Sequence, residues 1–117
     1  MTKATRTLDY LGHLLKAIER INRYTAHMDE VRFLASELVQ DAVIRNIEII
    51  GEASNNIQRV APSFAATHDD IPWLVMYTMR NRVSHAYDTV DLEIVWKTIQ
   101  ADSRNRMHTQ VRLCVER

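Results

Sequence analysis

Arg80, Asn81, His85 and Tyr87 fall within one eight-residue stretch, Arg80-Asn81-Arg82-Val83-Ser84-His85-Ala86-Tyr87, flanked by helical patterns built mostly from aliphatic residues. A guanidinium carries a fixed positive charge in a forked donor geometry that matches phosphate oxygens. An imidazole takes up and releases a proton near neutral pH. Together they suit cleavage of RNA without a metal ion. RNA carries its own nucleophile: once a base removes the 2′-OH proton, that oxygen attacks the adjacent phosphorus, leaving a 2′,3′-cyclic phosphate and a 5′-OH. The reaction needs a base, an acid for the leaving oxygen, and positive charge on the phosphoryl oxygens. His85 can be base or acid, Arg80 can hold the phosphoryl oxygens, and Asn81 can bind phosphate or orient the imidazole. DNA lacks the 2′-OH and should resist this route. One imidazole performs one proton transfer at a time, so a two-fold dimer that pairs two copies of Arg80 and His85 is expected, with the site at its interface.

Structural roles compete with these. His85 can complement a helix dipole at a C-terminus, and Arg80 can form a surface ion pair. With 12 Arg and 5 His in 117 residues, the bare Arg-x-x-x-x-His spacing is expected about 0.5 times by chance, so the spacing alone is weak. Requiring Asn after the Arg and Tyr two after the His lowers that figure to roughly 0.001. The remaining histidines, His13, His27, His68 and His108, read as surface or structural residues. Neither His-Glu-x-x-His nor Glu-x-x-His occurs, so zincin and di-iron bundle sites lack their ligands and no metal is expected. No glycine-rich phosphate loop is present, and no cofactor is implied.

The elements that would position these residues read as helices. Leu8, Leu11, Leu15, Ile18 and Ile21 form an apolar stripe over residues 5–25. Asp29 is placed to cap a short second helix with Val31, Phe33 and Leu34. A third helix is expected over 38–60, ended by Pro62, with Val43, Ile47, Ile50, Ser54 and Ile57 inward. Its second stripe, Arg45, Glu48, Glu52 and Asn55, either faces water or borders the active groove. Gly12 and Gly51 sit inside helices, each at a cost of about 1 kcal/mol relative to Ala, so close helix–helix approach is expected at both. Asp70-Ile71-Pro72 begins a fourth helix from Trp73 through Met76, Met79 and Arg80 toward Val83. Five residues turn an ideal helix through 500°, leaving Arg80 and His85 about 140° apart. Either the helix ends near Ser84 or the pair flanks one groove from two sides. Thr89 or Asp91 would cap the last helix, with Leu92, Val95, Trp96 and Ile99, then Met107 and Val111. Trp73 and Trp96 read as core residues. The expected architecture is an all-α up-and-down bundle of four to five helices.

Composition agrees. A chain of 117 residues makes one domain and buries about 65% of its unfolded surface. Two Gly and two Pro are too few for a turn-rich β fold. The single Cys114 excludes an internal disulfide and fits a reducing cytosol. No secretory signal and no apolar run of membrane-spanning length are read. Fifteen basic and fifteen acidic residues give a net charge of zero. That balance counts against a protein that coats nucleic acid non-specifically, but it permits a nuclease with a local positive groove.

Ile71-Pro72-Trp73, Met79-Arg80-Asn81, His85-Ala86-Tyr87, Val90-Asp91 and Val95-Trp96 follow one another in the order seen in a known family. With Gln40-Asp41-Ala42-Val43-Ile44-Arg45-Asn46-Ile47-Glu48-Ile49-Ile50-Gly51-Glu52-Ala53, they make the chain resemble, over about residues 5–113, the HepT-like branch of the HEPN proteins. The signature there is Arg-x-x-x-x-His-x-Tyr, usually with Asn after the Arg. The resemblance implies a single HEPN domain over 1–117, a helical bundle that dimerises, with Arg80 and His85 as ribonuclease residues assisted by Asn81. It also implies the toxin of a cytoplasmic toxin–antitoxin pair, whose partner is a minimal nucleotidyltransferase that transfers AMP from ATP to Tyr87. An adenylate there adds bulk and negative charge two residues from the imidazole. Otherwise Tyr87 reads as an amphipathic edge residue or an RNA-stacking ring. Ser84 and Ala86 stand where family members often have an aliphatic residue and a glycine. Two further readings stay open: a non-catalytic helical dimer serving a nucleotidyltransferase as binding or regulatory subunit, and a nucleotide-binding module using Arg80.

Overall fold

The computed structural model describes residues 2–85 and 91–101, the side chains of 3, 4, 81–85 and 101 excepted. Among the described residues every regular element is a helix. They are α1 (Lys3–Thr25), α2 (Glu30–Leu34), α3 (Glu37–Val60), α4 (Pro62–Thr67), α5 (Trp73–His85) and α6 (Leu92–Ala101). The all-α expectation holds for the described residues, which form six helices where four or five were expected. No helix among the described residues is long and apolar enough to cross a membrane.

Side-chain caps set several boundaries. Thr2 accepts from the Thr5 amide, Asp29 Oδ1 from Arg32 N at 2.8 Å, and Ser36 from Val39 N. Each satisfies an N-terminal donor that lacks a helical partner. Asp91, rather than Thr89, can be assigned as the cap of α6: its Oδ1 accepts from Glu93 N at 3.0 Å and Ile94 N at 3.2 Å. Thr89, Met107, Val111, His108 and Cys114 lie outside the described residues.

The additional helix is α4. Pro62 does not simply end α3: Ala61 leaves helical geometry at φ −136°, ψ 64°, and Pro62 opens the next helix at a position where its missing N–H costs nothing. Six residues with no apolar period of their own gave no pattern to read. The indole of Trp73 then ties α4 to the start of α5, with Nε1 donating to the carbonyls of Ala65 and His68, both at 3.1 Å. Trp73 is therefore a core residue with a polar duty, because a buried indole N–H needs an acceptor.

α3 is the spine, packing against α1 and α5 and more lightly against α2 and α4. Val43, Ile47, Ile50, Ser54 and Ile57 are all buried, as their spacing predicts. They meet Leu11, Leu14, Ala17, Ile18 and Ile21 of α1, Phe33 of α2, Trp73 and Met76 of α5, and Val95, Trp96 and Ile99 of α6 in one core. Gln40 of α3 donates from Nε2 to the carbonyls of Phe33 (2.9 Å) and Leu34 (3.0 Å), closing the C-terminus of α2 onto the spine. Leu8 departs from the expected stripe: it is 53% exposed, and Thr7 is buried one position earlier. The buried face of α1 thus runs through Thr7, Leu11, Leu14 and Ile18, and Leu8 lies at its edge.

Candidate active site on helix α5

α5 carries Arg80, Asn81 and His85, and its helical backbone continues through His85. The helix ends one residue past Ser84, as the first of the two expected geometries has it. Arg80 and His85 are positions on one uninterrupted helix, about 140° apart around its axis and about 7.5 Å apart along it. The side chains of Asn81 and His85, and all of Tyr87, lie outside the described residues.

Arg80 is half-buried, on the side of α5 that packs against α3 with Trp73 and Met76. Opposite it on α3 is Gly51. A Cβ built on Gly51 would overlap the Cβ of Arg80 and sit 2.9 Å from its Cγ and 3.0 Å from the carbonyl oxygen of Met76. The expected close approach at Gly51 is thus present, and the residue approaching is the arginine of the motif. Gly12 differs: among the described residues nothing lies within 4 Å of the corresponding point, and they supply no close contact there. One turn before Arg80, Met76 is buried, its sulfur 3.1 Å from the hydroxyl of Ser54, which donates to the Ile50 carbonyl at 2.8 Å.

The other side of α5 is open. Leu74 is 68% and Val75 50% exposed, and Thr78 is exposed as well. On a 100° wheel positions 74, 78 and 85 fall within about 40° of one another, so the stripe away from α3 runs from an apolar start to the position of His85. Position 80 lies on the side of α5 packed against α3, and position 85 is about 140° around the axis from it.

The polar line of α3 faces water. Arg45, Glu52 and Asn55 are exposed and Glu48 is half-buried, with Arg45 Nη1 3.8 Å from Glu48 Oε2. Such a pair contributes little to stability. Gly51 lies beside this line, so part of it also flanks the place where Arg80 packs. His13 is exposed with its ring 6.4 Å from that of Tyr10, and His27 is exposed after α1. His68 caps α4, its Nδ1 3.0 Å from the Phe64 carbonyl and its ring 4.2 Å from the Phe64 ring. His13 and His68 have ring or backbone neighbours, and His27 is a surface residue. Among the described residues no group of three or more His, Cys, Asp or Glu side chains could hold a metal ion.

Sequence reasoning treated Gly51 as a helix-crossing glycine without linking it to Arg80. The available signal was its setting: a mid-helix glycine in Ile49-Ile50-Gly51-Glu52, between the apolar stripe and the polar line.

Comparison with known proteins gives the relationship. A protein of Thermococcus cleftensis named "Probable ribonuclease HepT" is 44% identical over 94 residues, 80% of this chain and 83% of that one. A Methanocaldococcus jannaschii protein named "Gamma-glutamylcyclotransferase and putative RNase MJ0434" is 41% identical over 93 residues, 80% of this chain but 40% of that longer protein. No solved structure matches the chain. The profile described as "Ribonuclease HepT-like" covers residues 14–111, most of the bundle including α3, α5 and the motif, and the chain belongs to the HepT-like family.

Proposed function

We propose that this protein is a metal-independent endoribonuclease that works as a homodimer, a single HEPN domain from each copy contributing Arg80 and His85 to a shared cleft. The observation that carries this reading is the division of labour on α5: Arg80 is seated against α3, while the stripe leading to position 85 begins with the exposed Leu74 and Val75. Exposed apolar residues on an otherwise packed helix suit burial by a second copy, and two-fold pairing along that stripe would bring two motifs together.

In the proposed reaction one His85 accepts the 2′-OH proton, and the 2′-oxygen attacks phosphorus. The bond to the 5′-oxygen breaks, and that oxygen takes a proton from His85 of the partner subunit. Arg80 neutralises the charge that grows on the phosphoryl oxygens, where a fixed donor is worth most. Asn81 binds phosphate or orients the imidazole. The family's membership supports RNA as substrate.

The role proposed is that of a cytoplasmic toxin neutralised by a minimal nucleotidyltransferase. In that step the Tyr87 phenol oxygen attacks the α-phosphorus of ATP, pyrophosphate leaves, the phenolic proton is lost, and AMP remains on the ring. The adenylate then repels and blocks an incoming RNA phosphate.

Two experiments test these statements. Purified protein incubated with RNA in EDTA should produce 2′,3′-cyclic phosphate and 5′-OH ends, and a DNA strand of the same sequence should stay intact. RNA left whole by a protein that still binds a nucleotidyltransferase tightly would favour the non-catalytic adaptor instead. Mass spectrometry after co-expression with the nucleotidyltransferase should locate added AMP on Tyr87. A Tyr87→Phe protein that is still fully neutralised would remove that tyrosine from the switch.

A further inference from the structure

We propose that Gly51 is a positioning residue for Arg80, its absent side chain forming the seat that fixes the arginine stem. The inference rests on the ribonuclease reading of Arg80.

Gly51 is buried in the interior of α3, where glycine is a poorer helix former than alanine. The space a Cβ would take is already filled by Arg80 Cβ and Cγ and bordered by the Met76 carbonyl oxygen. Two of those three atoms move only with the backbone of α5, so no rotamer change makes room for a methyl group: α5 would have to shift away from α3. Among the described residues Gly12 has open space at the same point and no such neighbour. The two mid-helix glycines thus separate into one that is replaceable and one matched to a particular side chain.

The consequence for Arg80 is directional. Its first two side-chain carbons are held against the spine, so fewer torsions are left for the guanidinium to search. Pre-setting a charged group in this way lowers the entropy cost of meeting the transition state, and misplacement by about 1 Å can cost on the order of 10²-fold in rate. Met76, anchored at Ser54 one turn earlier, keeps α5 in register at the seat.

The test is a double-mutant cycle on RNA cleavage with Gly51→Ala, Arg80→Ala and the pair, each made in a Gly12→Ala background that adds helix propensity where no atom is met. Melting curves verify that each variant is folded. In Gly51→Ala, kcat should fall about tenfold or more while KM changes less than about threefold, the pattern of a lost transition-state interaction. Arg80→Ala keeps the Cβ that the new methyl group meets, so α5 is still displaced there and a residual penalty reports that displacement alone; it should be at least about fivefold smaller than in Gly51→Ala, because the guanidinium it misplaces is gone. A glycine that merely lets two helices pack would carry its penalty into both backgrounds. Equal penalties, or an unchanged kcat in Gly51→Ala, would overturn the assignment. A second measurement needs no variant: carbon relaxation of the wild-type protein should show Arg80 Cβ and Cγ nearly as rigid as the backbone, and a stem as mobile as that of exposed Arg45 would also overturn it. Wild-type protein that leaves RNA intact defeats the ribonuclease reading and Gly51's role with it, whereas active wild type with additive penalties defeats Gly51's role alone.

Discussion

Replacing His85 by alanine is expected to lower the rate of RNA cleavage by about 10²–10⁴-fold, the usual contribution of a positioned acid–base group. In the proposed dimer each copy supplies one imidazole, so the substitution deletes both the base and the acid at once and the loss should lie toward the upper end. Position 85 is the last residue of α5, about 140° around the helix from the side on which Arg80 packs against α3. The melting temperature should therefore move by no more than a few degrees, which separates lost chemistry from lost fold. The measurement is the initial rate of appearance of 2′,3′-cyclic phosphate ends in EDTA. A variant that cleaves at the wild-type rate would eliminate His85 from the reaction. Arg80→Lys is informative beside it. Lysine keeps the charge but not the fork, and the two are not interchangeable at a bidentate phosphate site.

Phe33→Ala is expected to have the largest effect on stability, about 3–5 kcal/mol, as for other fully buried aromatic residues. Phe33 has no exposed surface and its ring lies 5.3 Å from that of Trp96 at 33°. α2 is only five residues long, too short to persist as a helix unsupported. Its hold on the molecule is this ring, the Asp29 cap, and the Gln40 side chain that closes its carbonyls. Emptying the ring's place leaves a cavity between α2 and α6 and removes the aromatic neighbour of Trp96. The drop corresponds to roughly 10–20 °C in Tm for a chain of this size, with a red shift in tryptophan emission as Trp96 meets water. A change below about 1 kcal/mol would mean that α2 collapses into the space without loss.

Most of the bundle could be read from the sequence because its helices are amphipathic and well capped. The α3 stripe from Val43 to Ile57 has a period that only a helix buries, and every member is buried. Asp29 was legible as a cap, and Asp91 as one of two candidates beside Thr89, since a short polar side chain before an apolar run suits that use. Three features were not legible, each for a physical reason. α4 is six residues without a period, so Pro62 read as a stop when it is a start. Leu8 fits the stripe by spacing, but the buried arc of α1 is centred on Thr7, Leu11, Leu14 and Ile18, and Leu8 stands at its edge, about 100° around the helix from Thr7. The pairing of Gly51 with Arg80 is a contact between residues 29 positions apart, which periodicity cannot supply. For the candidate site, the motif named the residue types and gave the 140° offset; which of the two positions faces the bundle depends on packing against α3.

The bond from the Trp73 indole to the two carbonyls at the end of α4 has a mechanical consequence for the arginine two turns away. Trp73 is the first residue of α5, and seven residues at 1.5 Å each place Arg80 about 10.5 Å along a rigid rod from that pivot. A tilt of about 5° at the pivot displaces the far point by roughly 0.9 Å, comparable with the error that costs about two orders of magnitude in an oriented reaction. Angular play at a tryptophan remote from any phosphate is thereby amplified into lateral error at the charge.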